Sequence, residues 1–531
     1  MDVQGSDPTV AGARSQALGD LLRRSAARVP DKTALVWHER RETYAELDAA
    51  VNRVAHGLAD RGVTQGDRVA IFSHNCREFV LVYFALARLG AISVPINFML
   101  TADEVAFILE HSGAVALITE DSLAATAEAA VKQLGDSEIR LFGWIDLAGL
   151  PVAAGWEDVR DWENHAETTA PEVFVGDDDP IQIMYTSGTE SRPKGAVLSS
   201  RALIAQYTSV VVDGRMSADD IEVHALPLYH CAQLHCFLTP DLWLGATSIL
   251  LPGPDPATVL RTIETERATK LFCPPTVWVS LLRHPDFDSY DLSSLRKGYY
   301  GASIMPVEVL HELSQRLPGV GLTNFYGQTE LAPLATVLAP EDQLTKPGSA
   351  GRPALNVETR VVDDDDRTVG VGVIGEIVHR SPQAMLGYWN DPAKTAAAFR
   401  NGWFRSGDLG VMDADGYLSV VDRKKDMIKT GGENVASREV EEVLYEHPDI
   451  SEAAVVGIPH PHWIEAVTAI VVARNGTDPD ATDILAHCKK RLAGYKVPKY
   501  VTFVEALPKN PSGKILKREL RTAHARLATE A

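Results

Sequence analysis

At 531 residues the chain is too long for one hydrophobic core, and 45% hydrophobic with 23% charged residues describes an ordinary soluble globular protein of two or more domains. A formal net charge of −21 sets nucleic acid aside as a partner, because no broad polyanion-binding surface is compatible with it, while a local basic nucleotide pocket remains allowed. The five cysteines (Cys76, Cys231, Cys236, Cys273, Cys488) are scattered and odd in number, which fits a reducing compartment and offers no two-residue metal or redox spacing.

Residues 1–16 read as a disordered start without the basic-then-apolar pattern of a signal peptide. From Leu18 helical and strand patterns alternate. Tyr44–Arg61 repeats apolar residues at helical spacing and ends at Gly62. Asp67–Ser73 is a short apolar strand, Glu78–Leu89 is helical, and Ala91–Ile96 and Ala114–Ile118 are further strands. Such alternation predicts parallel sheets covered by helices.

Next comes Tyr185–Gly195, YTSGTESRPKG, directly after the apolar strand Ile181–Tyr185. Thr186, Ser187, Gly188 and Thr189 supply small residues, hydroxyls and free backbone N–H groups, and Lys194 supplies a point charge: a means of holding a polyphosphate. The spacing is not that of the Walker loop, whose lysine follows a glycine and opens a helix. An ordinary Ser/Thr/Gly hairpin has the same composition, so the segment alone leaves both readings open.

Residues 350–421 change character: short strands and turn signals at Asp363–Asp366, Gly370–Gly375 and Asp413–Gly416 predict a β-rich subdomain, with the acidic run as a solvated turn. After Asp422–Asp426 (DRKKD) a compact α+β pattern follows, with helices near Ser437–His447 and Ala481–Ala493 and strands at Ala453–Gly457 and Ala466–Ala473. No apolar run approaches the roughly 20 residues that span a bilayer. The terminal ATEA is not a peroxisomal address, so a cytoplasmic enzyme is expected.

Four segments accompany the phosphate loop in order: Thr323–Glu330 (TNFYGQTE), Trp403–Leu409 (WFRSGDL), Asp422–Glu433 (DRKKDMIKTGGE) and Pro508–Leu520 (PKNPSGKILKREL). Together they resemble the adenylate-forming superfamily of acyl-CoA synthetases, adenylation domains and luciferases, from Leu18 to Leu520. The resemblance implies an α/β fold with a large N-terminal domain of parallel βα sheets (17–421, its β-rich subdomain about 350–421). It further implies a hinge at 422–426 pivoting on Lys425, and a small mobile C-terminal α+β domain at 427–531.

The chemistry it implies has two steps. A carboxylate joins the α-phosphorus of ATP and pyrophosphate leaves; the acyl group then passes to a thiol. Thr186–Lys194 would grip the β- and γ-phosphates. Tyr326 would stack on adenine against Gly301, Ala302 and Ser303, with Asn324, Phe325 and Gly327 lining the same nucleotide site. Thr329 would contact the α-phosphate, and Glu330 with Thr189 would hold Mg2+. Asp408 would take both ribose hydroxyls, with Arg423 behind it. Lys514 would bridge the carboxylate and the α-phosphate. Rotation at the hinge would exchange it for Lys429, Gly431, Gly432 and Glu433 at a coenzyme A site.

Val223–Leu234 (VHALPLYHCAQL) matches the acyl-pocket segment, so Tyr229, His230, Cys231, Ala232, Gln233 and His235, with Gly301 and Phe325, are the expected pocket residues. His230 stands where amino-acid-activating relatives place an aspartate, and an unpaired buried ammonium is costly, so an α-amino acid is not the expected substrate. Fatty, aryl and polycyclic acids stay open. Coenzyme A is the expected acceptor because no carrier domain is fused to the chain. A free-standing ligase loading a carrier protein is the rival reading, and a catalytically weakened acyl- or nucleotide-binding relative is the reading from another class. The expected assembly is a monomer or homodimer. Three places depart from the family pattern: Glu190 and Ser191 in the phosphate loop, His460–Glu465 (HPHWIE) in the small domain, and Asn510–Pro511 ahead of Ser512.

Overall fold

The computed structural model describes residues 12–135, 138–186, 192–303, 305–431, 433–474, 476–510 and 513–527. Among the described residues two sheets dominate the large domain. One runs in the order 352–353, 334–338, 321–327, 297–301, 270–272, 221–224, 247–250, 33–37, 40–43, parallel from 321–327 to 33–37 with antiparallel edges. The other runs 387–388, 194–199, 180–186, 92–96, 68–72, 116–120, 141–145, 157–158, parallel from 180–186 onward.

Helices Tyr44–Asp60, Arg77–Leu89 and Ser200–Asp213 lie between the sheets. Their Leu47, Phe79 and Tyr207 share one core with Leu35 and Leu250 of the first sheet and Val69 and Ile71 of the second. Ala70 and Phe72, next along the same strand, face the opposite way into a core with Val105, Leu109 and Ala127, as the two-residue period of a strand requires. A middle helix must be apolar on all sides, and Arg77–Leu89 reads REFVLVYFALARL. Its buried Arg77 is matched by Glu42 (2.6 Å) and Glu163 (2.7 and 2.8 Å). Local signals set the helix ends. Thr43 and Glu46 form a capping box at Tyr44, and Gly90 closes Arg77–Leu89 at φ +66°.

Strands 358–362, 375–380, 403–412 and 418–423 form an antiparallel sheet within the predicted β-rich stretch. Gly387–Tyr388 is the exception: it leaves this sheet to pair with Val197 and Ala196 beside the phosphate-loop strand. In the small domain the hairpin Ile450–His460/Ile464–Ala473 is covered on both faces, Val455 and Val467 packing under helix Ser437–Tyr445 and Val456 and Ile470 against Leu520. The small domain meets the large one through Ser437, whose N–H and Oγ both donate to Asp422 (2.7 and 2.8 Å). Arg521 donates to Asp426 (2.9 Å), and Arg438 reaches the carbonyls of Val420 and Gly348.

Candidate active site

The site is assembled at the ends of strands that the sheets bring side by side. Pro180–Thr186 and Lys194–Ser199 pair so that Thr186 faces Lys194. Ser187, Gly188, Thr189, Glu190 and Ser191 lie outside the described residues, as do Gly432, Pro511 and Ser512. Lys194 extends its ammonium over the ring of Tyr388, 5.4 Å from the centroid. Tyr388 donates its hydroxyl to Glu330 Oε1 (2.8 Å), joining strand Lys194–Ser199 to the glutamate.

Asp408 is the hub of the other half. It is buried, and its Oδ2 accepts from the Tyr326 hydroxyl (2.7 Å) and from Gln328 Nε2 (3.1 Å), while Oδ1 lies 3.4 Å from Arg423 Nε. Antiparallel pairing sets Asp408 directly opposite Arg423, so the pair follows from strand register. Gly301 and Gly327 are there because nothing larger fits. A Cβ on Gly301 would lie 2.4 Å from the Phe325 carbonyl, and one on Gly327 1.8 Å from the Pro333 carbonyl. Ala302 and Ser303 follow, exposed, with Ala302 at φ +63°.

Lys514 is delivered from the small domain. Its loop is tied off by Asn510, whose Oδ1 accepts the Lys514 N–H (2.8 Å) and whose own N–H donates to the Lys514 carbonyl (2.9 Å). The loop docks where Thr276 Oγ1 donates to the Gly513 carbonyl (3.2 Å). Burial and the positive charges of Arg423 and Lys425 bring the Lys514 ammonium down to about 8, with Asp408 and Asp426 opposing. Partial desolvation, Arg423 and Lys194 likewise lower Lys425. Four cations, Lys194, Arg423, Lys425 and Lys514, therefore converge on one cleft of a chain whose net charge is −21.

His230 lines a small cavity of about 10 Å3 together with Leu226, Pro227, Ala232, Gln233, Phe272 and Ala302. Its Nδ1 accepts the Ala232 N–H (3.2 Å). Burial, then the nearby Lys514 charge, push it down to about 4, so it is neutral at pH 7 and holds its proton at Nε2. Tyr229 packs edge-on against Phe98, ring centroids 5.3 Å apart. Cys231 Sγ lies 3.2 Å from Thr329 Oγ1, linking the acyl loop to the threonine expected at the α-phosphate. Burial pushes its thiol up to about 12.

The structure does not bring every expected residue to the cavity. His235 is fully buried, with its ring between Gln182 Oε1 (2.7 Å) and the Tyr207 hydroxyl (2.8 Å), so it belongs to the core. Gln233 lines the cavity, but its amide serves His224 (2.7 Å) and the Leu226 N–H (3.4 Å). Asn324 donates to the Ser349 carbonyl (3.3 Å). Phe325 packs with Phe237 and Tyr299 behind Ala232. Lys429, Gly431 and Glu433 are exposed on the small domain, where the Lys429 N–H donates to Glu465 (2.7 Å). The departure at 460–465 has a structural counterpart. Ile464, exposed at 67%, adopts φ +72°, a conformation a glycine takes freely and a β-branched residue only under strain.

Two contributors went unread in the sequence, Gln328 and Tyr388. Gln328 was within reach, since it lies inside TNFYGQTE; Tyr388 sits in a stretch whose only sequence signal is strand-like. Among the described residues Glu222, His224 and Asp241 bring ligand atoms within 4.8 Å of one another. Lys270, however, lies 2.8 Å from Glu222 and against Asp241, all fully buried, so an ammonium already fills the place of a cation. Glu330 suits a magnesium ion better: one half-exposed carboxylate is the kind of donor by which Mg2+ is commonly held, the rest of its shell coming from substrate phosphates and water.

The AMP-binding enzyme family matches residues 22–389, and the AMP-binding enzyme C-terminal domain matches residues 439–514. A feruloyl-CoA synthase from an Amycolatopsis species is 40% identical over 96% of this chain and 99% of its own. An indoleacetate–CoA ligase from Aromatoleum aromaticum is 38% identical over 96% and 98%. Among solved structures, an anthranilate CoA ligase in complex with anthranoyl-AMP superposes with a TM-score of 0.90 at 30% identity, covering 97% of this chain and 98% of that one.

Proposed function

The chain belongs to the AMP-binding enzyme family, and from that premise we propose that it is an AMP-forming ligase joining a carboxylic acid to coenzyme A through an acyl-adenylate. The observation that carries this reading is the convergence of Lys194, Arg423, Lys425 and Lys514 beside Asp408 and Glu330. That charge pattern fits a nucleoside triphosphate and little else in a chain so acidic.

In the first step the acid's carboxylate oxygen attacks the α-phosphorus, and the bond to the β-phosphate breaks as pyrophosphate leaves. Asp408 and Arg423 fix the ribose, Tyr326 the adenine, and Lys194 the outer phosphates. Lys514 places its ammonium where negative charge gathers on the α-phosphate and the incoming carboxylate. Mg2+, held by Glu330 and the phosphates, supplies charge neutralisation and orientation when bound. Neutral His230 donates from Nε2 to the carboxylate and keeps it turned toward the nucleotide. In the second step the thiol attacks the acyl carbon and AMP leaves. Lys429 and Glu433, now exposed, would reach the site by rotation about 422–426.

The lining of the cavity argues for an apolar acid. At about 10 Å3 the cavity has room for little more than one water; its walls are apolar apart from His230 and Gln233, and Phe237, Phe272, Tyr299 and Phe325 close its back. Any acid requires this wall to open, and a ring-sized one asks less of the aromatic cluster than a long chain does. The names of the aromatic-acid relatives support the same choice. Adenylation is tested by acid-dependent ATP–pyrophosphate exchange in the parent and in Lys514→Ala, which removes the bridging charge without touching a core. A loss of about 100-fold or more is expected, the scale on which a charge aimed at the transition state acts. A variant that keeps most of the exchange would remove Lys514 from the mechanism.

A further inference from the structure

The two elements that handle the triphosphate lie far apart in sequence, yet one short segment is bonded to both. Met385 donates its N–H to the Glu330 carbonyl (2.8 Å), Leu386 to the Val197 carbonyl (2.9 Å) and Trp389 to the Gly195 carbonyl (2.8 Å). Gly387 and Tyr388 pair with Val197 and Ala196, and the Trp389 indole donates to the His111 carbonyl (3.2 Å). The backbone of Tyr388 is thereby locked beside the phosphate strand. From that fixed position its hydroxyl donates to Glu330 Oε1, and its ring carries the Lys194 ammonium at 5.4 Å, within cation–π range.

We propose that Tyr388 is a positioning residue for the metal–triphosphate complex: its hydroxyl orients the Glu330 carboxylate toward the divalent cation while its ring holds Lys194 above the outer phosphates. A phenol hydrogen bond to one carboxylate oxygen fixes the carboxylate plane and leaves the second oxygen directed at the cation. Outer partners of this kind order metal ligands in general. The ring contact restricts a long, flexible lysine to one region, so less rotamer freedom remains to be lost when ATP binds. The inference rests on the reading above that Glu330 holds Mg2+ and Lys194 meets the phosphates.

The test separates the hydroxyl from the ring. Tyr388→Phe keeps the strand and the cation–π surface and deletes only the hydroxyl; Tyr388→Leu deletes both. Binding of a non-hydrolysable ATP analogue is measured by titration calorimetry with and without Mg2+, and thermal unfolding is followed in parallel. For Tyr388→Phe the analogue is expected to bind about tenfold more weakly when Mg2+ is present, the scale of a lost charge-assisted hydrogen bond. Without Mg2+ its binding should match the parent's. Tyr388→Leu should weaken binding under both conditions, because Lys194 loses its support. KM for the acid and the rate of thioester formation from supplied acyl-adenylate should stay at parental values.

Equal weakening of Tyr388→Phe with and without Mg2+, or parental affinity in both, overturns the proposal; so does a lowered melting temperature that accounts for the loss. If the parent protein itself binds the analogue without any effect of Mg2+, the functional reading fails and this inference falls with it. If the parent shows the Mg2+ effect and Tyr388→Phe shows it undiminished, the inference alone fails.

Discussion

A lysine serves as a cation only while it keeps its proton, and Lys514 is placed where that is difficult, half-buried among Arg423 and Lys425. With its ammonium at about 8 in the unliganded site, the charged form dominates below that pH and is lost above it. Adenylation measured as kcat/KM for ATP should therefore hold level through pH 7 and fall about tenfold per unit above pH 8. His230, already neutral above about 4, adds no step between pH 5 and 8. A profile flat to pH 10 would contradict the assignment of Lys514. The single residues were legible in unequal degree. Asp408, Glu330 and Lys514 stand in motifs with little positional freedom, so their neighbourhood could be read. His235 could not be told from Cys231 or Ala232, because only the helix geometry turns it toward Gln182 and Tyr207. Tyr388 was missed because its importance lies in a strand pairing with residues almost two hundred positions earlier.

Elements explain how the small domain is held in this arrangement. The loop bearing Lys514 passes so close to Pro274–Thr276 that a Cβ on Gly513 would lie 2.5 Å from Thr276 Oγ1, and Gly513 adopts φ +80°. A side chain there meets both a clash and a backbone penalty of about 1–2 kcal/mol. Gly513→Ala should slow adenylation roughly tenfold or more while thioester formation from supplied acyl-adenylate stays close to parental. Lys429→Ala should give the opposite pattern. Stopped-flow measurement of the two half-reactions separates the variants, and equal losses in both steps would argue against exchange of the two faces. Periodicity and turn residues made most elements readable: the expected helix Tyr44–Arg61 is found at Tyr44–Asp60, and the expected strand Asp67–Ser73 at Arg68–Phe72. What periodicity does not carry is partnership between strands. Residues 350–421 read as one β-rich stretch, yet Gly387–Tyr388 within it pairs with strand Lys194–Ser199.

Across the whole molecule the acidic composition and the cationic cleft belong to one account. A net charge of −21 repels polyanions from the general surface, while four cations gathered in one cleft would make the local site for a triphosphate that the proposed function requires. On the proposed reading both domains contribute to it, Lys194 from the large one, Arg423 and Lys425 from the hinge segment and Lys514 from the small one, so the site would be complete only when they close. This was legible in outline, because the five motifs occur in a fixed order along the chain. The size of the acyl cavity was not, since Phe237, Phe272, Tyr299 and Phe325 come together from four separate elements. The most direct measurement is to supply the protein with ATP, Mg2+ and a panel of aryl and fatty acids, with and without coenzyme A, and identify the products by mass spectrometry. The account predicts AMP and an acyl-CoA from a compact aromatic acid, with acyl-adenylate and pyrophosphate when coenzyme A is withheld. ADP and phosphate as products, or no acid-dependent consumption of ATP at all, would contradict it.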